Sequence, residues 1–151
     1  MELIVSIAII GILASILTPN VVKMLAKARD ARKQSDFIAI STALYAFYND
    51  NSLMPSNYNS SYHACQGDGF YERSMQELVN ARYLENVPTA VAGSSYCYYD
   101  YGAGNIGALM VTQLDAYTGT TGLKGSCRPW TPGQDWCDQS NNNYYCVCNT
   151  Y

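Results

Sequence analysis

The residues of this chain that could do chemistry are few, and two of them lie close together in sequence. His63 and Cys65 could form a nucleophilic pair. Such a pair needs a third group that orients the histidine, and the surrounding Ser-Tyr-His-Ala-Cys segment does not supply one. We therefore predict no catalytic residues, expect the protein not to be an enzyme, and expect no cofactor.

The cysteines are a second candidate set. An even number in a region rich in Gly, Ser, Asn and Tyr predicts disulfides and an oxidising, extracellular setting. A zinc site is the alternative, but zinc usually takes CxxC pairs or several His, and here the closest pair is Cys146-x-Cys148. We expect no metal. The pairing stays open, except that Cys146 and Cys148 are expected to share a strand face and to pair outward. The six predicted disulfide residues are Cys65, Cys97, Cys127, Cys137, Cys146 and Cys148.

The third candidate is a carboxylate at the head of an apolar run. Glu2 precedes Leu3 to Thr18, a run that contains no other charge and that Pro19 closes. A carboxylate carried into an apolar phase costs roughly a few kcal/mol unless it is paired. The sequence therefore predicts a partner for Glu2.

The apolar run is the element that positions Glu2. As a helix, residues 3–18 would span about 24 Å at 1.5 Å per residue, which is short of the ~30 Å core of a bilayer. Without a basic region before it or a small-residue cleavage site after it, the run is a poor secretory signal. Because it is apolar on all sides, it is expected to need lipid or copies of itself around it. Gly11 and Pro19 are expected to make residues 11–19 the weakest part of this helix.

Beyond Pro19 the pattern becomes amphipathic. Apolar and small residues recur at steps of three and four, which predicts a helix continuing to about Tyr48. We expect a compact domain to pack on this stripe. Its members are Val21, Met24, Ala28, Ala31, Ser35, Ile38, Thr42 and Tyr45.

Charge is segregated along the chain. Five basic residues (Lys23, Lys27, Arg29, Arg32 and Lys33) surround a single acid, Asp30, whereas the remainder from Gln34 carries ten acidic and four basic residues. The basic collar suits an anionic membrane surface or, equally, a solvated helix face. The acidic remainder lacks the positive charge that binding of nucleic acid requires. Its many tyrosines are therefore predicted to fill strand surfaces and interfaces.

The rest of the chain predicts a small sheet and one short helix. Ser74-x-x-Glu77 fits a capping box and predicts a helix over about 74–82. Segments 96–101 and 108–114 predict a hairpin through a glycine-rich turn, and 144–149 a last strand. Segments 51–72 and 115–142 are expected to be loops that face outward. The predicted fold is α+β, with residues 1–19 as an apolar filament-core or transmembrane segment, 20–50 as the amphipathic half of the helix, and 51–151 as a disulfide-tied domain.

The first 55 residues or so carry a family resemblance. Glu2-Leu3, then Ala8-Ile9-Ile10-Gly11-Ile12-Leu13-Ala14, Pro19 and the segment from Lys27 to Asp36 resemble the N-terminal region of type IV pilins and type II secretion pseudopilins. The resemblance implies a long N-terminal helix packed on a small antiparallel sheet. It also implies cleavage and N-methylation by a prepilin peptidase, residence in the inner membrane, and assembly by pilus machinery into an extracellular helical filament.

The resemblance also implies roles for three residues and leaves alternatives open. Glu2 would offset the terminal amine of a neighbouring subunit, and Gly11 to Pro19 would be the stretch that loses helical structure on assembly. Because the family glutamate lies further from the mature terminus, we expect about three residues before Met1, which would bring the run closer to membrane thickness. The leading function is a pilus subunit acting in adhesion or motility. The alternatives are a pseudopilin of a secretion or DNA-uptake apparatus and a membrane-anchored binding module.

Overall fold

One helix, α1 (Glu2–Asn51), forms the N-terminal third of the chain. The computed structural model describes residues 2–58, 64–91, 93–100, 107–116 and 144–150, with the backbone alone for residues 2, 15–19, 149 and 150. The predicted single helix is confirmed, and it runs unbroken through Gly11 and Pro19. Among the described residues, no helix combines the length and the hydropathy that crossing a membrane requires.

A four-stranded antiparallel sheet packs against the C-terminal half of α1. Its strands are β1 (Ala64–Cys65), β2 (Tyr96–Asp100), β3 (Gly107–Gln113) and β4 (Tyr144–Thr150), and they lie in the order β1-β2-β3-β4. The predicted hairpin is β2–β3, with Tyr98 opposite Met110, and the predicted last strand is β4, with Cys146 opposite Val111. β1 was not predicted, because two residues carry no alternation that a sequence pattern can detect. The α+β class is confirmed.

The face of α1 that packs on the sheet is not the predicted one. Phe37, Ile40 and Leu44 are fully buried against the inner face of the sheet, whereas Met24 and Ile38 of the predicted stripe are 70% and 63% exposed. Every residue of that stripe from Val21 to Tyr45 is exposed. The prediction was wrong because the buried face also contains the charged residues Asp30 and Lys33. In a sequence, charged residues usually indicate a solvent-exposed face.

The main core lies between α1, the sheet and α2 (Phe70–Asn80). Tyrosines supply much of its volume and satisfy their polar tips with backbone carbonyls. Tyr71 donates its hydroxyl to Pro88 O at 2.8 Å, and Tyr98 donates to Pro55 O at 2.6 Å. These rings bury a large apolar area without leaving a hydroxyl unpaired.

The start of α2 differs from the prediction. The helix begins at Phe70, and its cap is Gly69 at φ 80°, a left-handed conformation that glycine adopts readily. The Asp68 carboxylate supplies the missing acceptor, since Oδ1 receives the backbone N–H of Phe70 at 2.7 Å. Ser74 lies inside the helix and donates its hydroxyl to Ser56 O at 2.7 Å. The predicted capping box at Ser74 and Glu77 was therefore wrong.

The predicted outward loop over 51–72 is only partly a loop. Met54, Pro55 and Asn57 are buried, Ala64 begins β1, and α2 starts at Phe70. Asn57 donates its backbone N–H to the buried Asp100 carboxylate at 3.2 Å. This segment is therefore part of the packed domain formed by the C-terminal half of α1, the sheet and α2, which we name the body. Of the second predicted loop, 115–142, all but the first two residues lie outside the described part of the chain.

Candidate assembly surface

The first part of α1 is an exposed apolar helix. Between Leu3 and Leu13 the large side chains, distributed on every side of the helix, are all more than half exposed. An apolar surface that surrounds a helix completely is typical of a helix that is buried in its working environment. We name residues 3–13 the apolar head. Its exposed large side chains are Leu3, Ile4, Val5, Ile7, Ile9, Ile10, Ile12 and Leu13.

The three predicted assembly residues all lie on this part of α1. Glu2 is the first residue of the helix, and Pro19 lies within it; the described structure includes no side-chain detail for either. Gly11 lies in the middle of the head, and a Cβ atom at this position would have no heavy atom within 4 Å. Inside one subunit nothing therefore requires glycine at position 11.

Above the head, the side of α1 that faces away from the sheet is exposed along its length. A row of residues on this side follows alternating steps of four and three, the spacing of a helix–helix seam. Large side chains stand at Met24 and Ile38, with small ones between them. We name this row the outer seam and define it as Met24, Ala28, Ala31, Ser35, Ile38 and Thr42, all of them exposed.

The opposite side of α1 carries a buried charge cluster. Lys33 is fully buried, and its Nζ donates to Gln113 O at 2.7 Å and to Asp115 Oδ1 at 3.0 Å. Asp30 lies one turn before Lys33, and its carboxylate accepts the backbone N–H groups of Asp115 and Ala116 at 2.7 and 2.9 Å. Arg29 adds an outer ion pair to Asp115 at 3.8 Å. The cluster fastens the end of β3 to the helix.

A second polar contact ties the helix to the sheet one turn further on. Tyr96 donates its hydroxyl to Asp36 Oδ2 at 2.6 Å, and its ring meets Phe37 edge to face at 5.1 Å between centroids. Burial raises the pKa of the Tyr96 phenol well above its usual range, and the neighbouring Asp36 carboxylate raises it further. The tyrosine therefore stays protonated and acts as a donor at all physiological pH values.

The outer face of the sheet carries the cysteines. Cys65 and Cys97 are directly opposed on β1 and β2 and form a disulfide. Cys146 and Cys148 are also disulfide-bonded, and both lie on this face beside Leu109 and Val111. The prediction that they share a strand face is confirmed. Cys127 and Cys137 lie outside the described residues.

A cavity of about 270 Å³ opens beside the disulfide on this outer face. Its lining consists of Cys65, Ser95, Cys97, Val111, Thr112, Gln113 and Tyr144. None of these side chains is a Lys, Arg, His, Asp or Glu, and both cysteine sulfurs are held in the disulfide.

The candidate pair of His63 and Cys65 lacks a free thiol, because the Cys65 sulfur is held in the disulfide. His63 lies outside the described residues. Within the described part of the chain, no three His, Cys, Asp or Glu side chains converge as metal ligands would.

Comparison with known proteins gives no match. No protein-family model matches the chain, and neither a curated protein nor a solved structure shows significant similarity to it. The functional argument therefore rests on the exposed helix and on the residues that hold it to the sheet.

Sequence reasoning missed the Asp30–Lys33–Asp115 cluster. A signal was present: Asp30 and Lys33 are spaced to share a helix face with Phe37 and Ile40, both strongly apolar. Asp115, which completes the cluster, is 82 residues away from Lys33, and no local pattern connects the two.

Proposed function

We propose that this chain is a structural subunit of a type IV pilus-like extracellular filament, which assembles by bundling the apolar heads of many copies. The observation that carries the proposal is the exposure of the head at one end of a continuous helix whose other half is packed into a folded body. The sheet covers one side of the C-terminal half of the helix, whereas the large side chains of the head are exposed in the single subunit.

The energetics support covering by many copies. Fully burying a large aliphatic side chain is worth about 1.5–3 kcal/mol. The head exposes eight such side chains, all on one rigid helix. Because they lie on all sides of the helix, a single flat partner surface cannot cover them, whereas a bundle of several heads can. The same argument accommodates lipid as the cover before assembly.

The position of Glu2 supports the same proposal. In a bundle of heads its carboxylate would enter an apolar surround, where an unpaired charge is costly. The resemblance to type IV pilins suggests the partner, namely the positively charged terminal amine of an adjacent copy. A pairing between subunits would give the Glu2 carboxylate a specific role in assembly.

The body suits a long life outside the cell. The disulfide between Cys65 and Cys97 joins an edge strand to the sheet, and two more cysteines on the same face are oxidised. Disulfides persist in oxidising compartments and at cell surfaces. The body would then lie on the outside of the filament, held to the central bundle through the C-terminal half of α1.

Electron microscopy of material sheared from expressing cells tests the proposal. We expect long, thin filaments that contain this chain, identified by mass spectrometry. Chain found only in short periplasmic assemblies would indicate a secretion pseudopilin. Chain found only as a dispersed protein in the inner membrane would indicate an anchored binding module. Either result would overturn the proposal.

A variant of Glu2 tests the assembly role independently. Glu2→Ala should reduce filament yield strongly while the body keeps its thermal unfolding temperature, because residue 2 lies far from the packed core. Glu85→Ala, at an exposed position of the body, is the matched control and should assemble normally. Filament yields that are equal for the two variants would rule out the pairing of Glu2.

A further inference from the structure

The amine of Lys33 and the carboxyl group of Asp115 are placed as the two reactants of an amide condensation. Nζ of Lys33 lies 3.0 Å from Oδ1 of Asp115, and 82 residues separate the two in sequence, so folding alone brings them together. The carboxyl carbon is bonded to that oxygen, so Nζ lies next to the atom that it would attack. Groups held in such an arrangement react as if at effective concentrations of roughly 10⁵–10⁸ M.

Burial distinguishes Lys33 from the other lysines in the described part of the chain. Lys23 and Lys27 are exposed, whereas the Lys33 side chain is fully buried. A buried ammonium has lost its hydration, and an ion pair offsets that cost only where its geometry is good. Condensation with Asp115 removes both charges and leaves a neutral amide. Burial therefore favours bond formation at Lys33 more than at an exposed pair.

Two neighbouring residues orient the reactants. Gln113 O accepts a hydrogen bond from Nζ of Lys33 at 2.7 Å, which fixes the direction of the nitrogen. Nη1 of Arg29 lies 3.8 Å from Oδ2, the second carboxyl oxygen of Asp115. A guanidinium in this position stabilises the negative charge that develops on Oδ2 when an amine adds to the carboxyl carbon. The Asp115 side chain is 28% exposed, which leaves a way out for the released water.

Asp30 provides a group that can carry protons between the reactants. Its Oδ1 lies 3.8 Å from Nζ of Lys33, and the same oxygen accepts the backbone N–H of Asp115 at 2.7 Å. The contacts of a proton-transfer pair are often long before the reaction and shorten along it. Asp30 is therefore within reach of the nitrogen and is held beside Asp115 by the backbone.

We propose that Lys33 and Asp115 join in an intramolecular isopeptide bond after the chain has folded. A proton first passes along the 3.0 Å hydrogen bond from Nζ to Oδ1, which produces an amine and a carboxylic acid. Nζ then adds to Cγ of Asp115, and Asp30 takes one proton from the nitrogen and gives it to the Oδ1 hydroxyl. The Cγ–Oδ1 bond breaks, one water leaves, and Oδ2 becomes the carbonyl oxygen of the new Cγ–Nζ amide. Nothing is oxidised or reduced, and no co-reactant takes part.

Intact-mass measurement of the purified full-length chain tests the bond. After the sequence difference is subtracted, the unmodified chain should be lighter than Lys33→Arg by one water, because a guanidinium that stays charged does not form the amide. The comparison holds even if Lys33→Arg does not fold, since an unfolded chain also lacks the bond. Lys27→Arg, at an exposed position of the same helix, is the matched control and should keep the loss. A folded unmodified chain that retains the water would overturn the proposal.

Peptide mapping locates the bond. Trypsin does not cleave after a lysine whose side-chain nitrogen is part of an amide. A digest of the reduced chain should therefore contain a branched peptide that joins the Lys33 segment to the Asp115 segment. Asp115→Ala removes the carboxyl group and should retain the water. A water lost within a single segment, or lost from Asp115→Ala as well, would overturn the proposal.

A variant of Asp30 tests the proton transfer. Asp30→Asn keeps the size of the side chain but cannot take up the proton. The ratio of bonded to unbonded molecules should fall about tenfold or more, because general acid–base catalysis contributes roughly 10²–10⁴-fold. The ratio is measured on the fraction that circular dichroism shows to be folded. An unchanged ratio in folded Asp30→Asn would overturn the role assigned to Asp30.

Discussion

The ammonium nitrogen of Lys33 lies 3.0 Å from Asp115 Oδ1, and 82 residues of chain separate the two side chains. Lys33 is fully buried, and Asp30, one turn away on the same helix, binds two backbone N–H groups beside Asp115. A buried charge is tolerated only when its partners are all in place. The cluster therefore fixes both the height and the rotation of α1 relative to β3.

Removing Asp30 should weaken the whole body. Asp30→Ala leaves two backbone donors and the Lys33 ammonium with fewer partners, so we expect the free energy of unfolding to fall by about 3 kcal/mol or more. Urea denaturation followed by circular dichroism measures the loss. Lys27→Ala, at an exposed position of the same helix, should change stability by less than about 0.5 kcal/mol. Equal stabilities of the two variants would show that the cluster contributes nothing.

Two adjacent residues should separate the packed side of α1 from the seam. Phe37→Ala removes a fully buried ring and should cost about 3–5 kcal/mol. Ile38→Ala changes the next residue in the chain and should cost less than about 0.5 kcal/mol. Thermal unfolding of the two proteins side by side is the measurement. A larger loss for Ile38→Ala would mean that the body covers the predicted stripe after all.

The disulfide between Cys65 and Cys97 should hold β1 to the sheet. The bond closes a loop with a sequence separation of 32, for which the chain-entropy model gives about 3–4 kcal/mol. The double variant Cys65→Ala, Cys97→Ala should lose stability by that amount and become more sensitive to proteases near Ala64. A stability within about 1 kcal/mol of the unmodified chain would contradict this account.

Asp100 should make the body less stable as the pH rises from acid. Burial raises the pKa of this carboxyl, and the N–H of Asn57 only partly offsets the effect. Between the unfolded pKa of about 4 and the higher folded pKa, the folded state binds more protons, so the free energy of unfolding decreases as the pH rises. Above the folded pKa the charged carboxylate remains a constant cost.

Asp100→Asn is the corresponding test. The amide oxygen can still accept the Asn57 N–H, and the charge is gone, so the variant should be more stable at neutral pH and should show a flatter profile above pH 4. Glu77 faces the same region, and burial raises its pKa as well, so Glu77→Gln in the Asp100→Asn background should remove the remaining slope. An unchanged profile in the double variant would assign the slope to other groups.

The sequence predicted the elements that rest on long or regular patterns. The helix to Tyr48, the β2–β3 hairpin and the last strand all have enough consecutive residues for a period to be recognised. The α+β class followed from them. The start of α2 was misplaced because its cap has two parts: the Asp68 side chain supplies the hydrogen-bond acceptor, and Gly69 supplies the left-handed backbone. The Ser-x-x-Glu pattern does not describe this combination.

The orientation of α1 could not be predicted for a different reason. Both sides of the helix carry apolar residues at helical spacing, and the choice between them depends on which side meets its partners on the sheet. Asp36 meets Tyr96, and Lys33 meets Asp115, through contacts that span 60 and 82 residues. Local propensity gives no information on such pairs, so charge on the packed side was misinterpreted as exposure.

The unbroken course of α1 has a mechanical consequence. A pull on the head along the helix axis is transmitted towards the body, because the same helix continues into it. The load arrives there as shear between helix and sheet. The contacts of Lys33 with Asp115 and of Asp36 with Tyr96 join the helix to the sheet. The helix cannot slide along the sheet without breaking both of them.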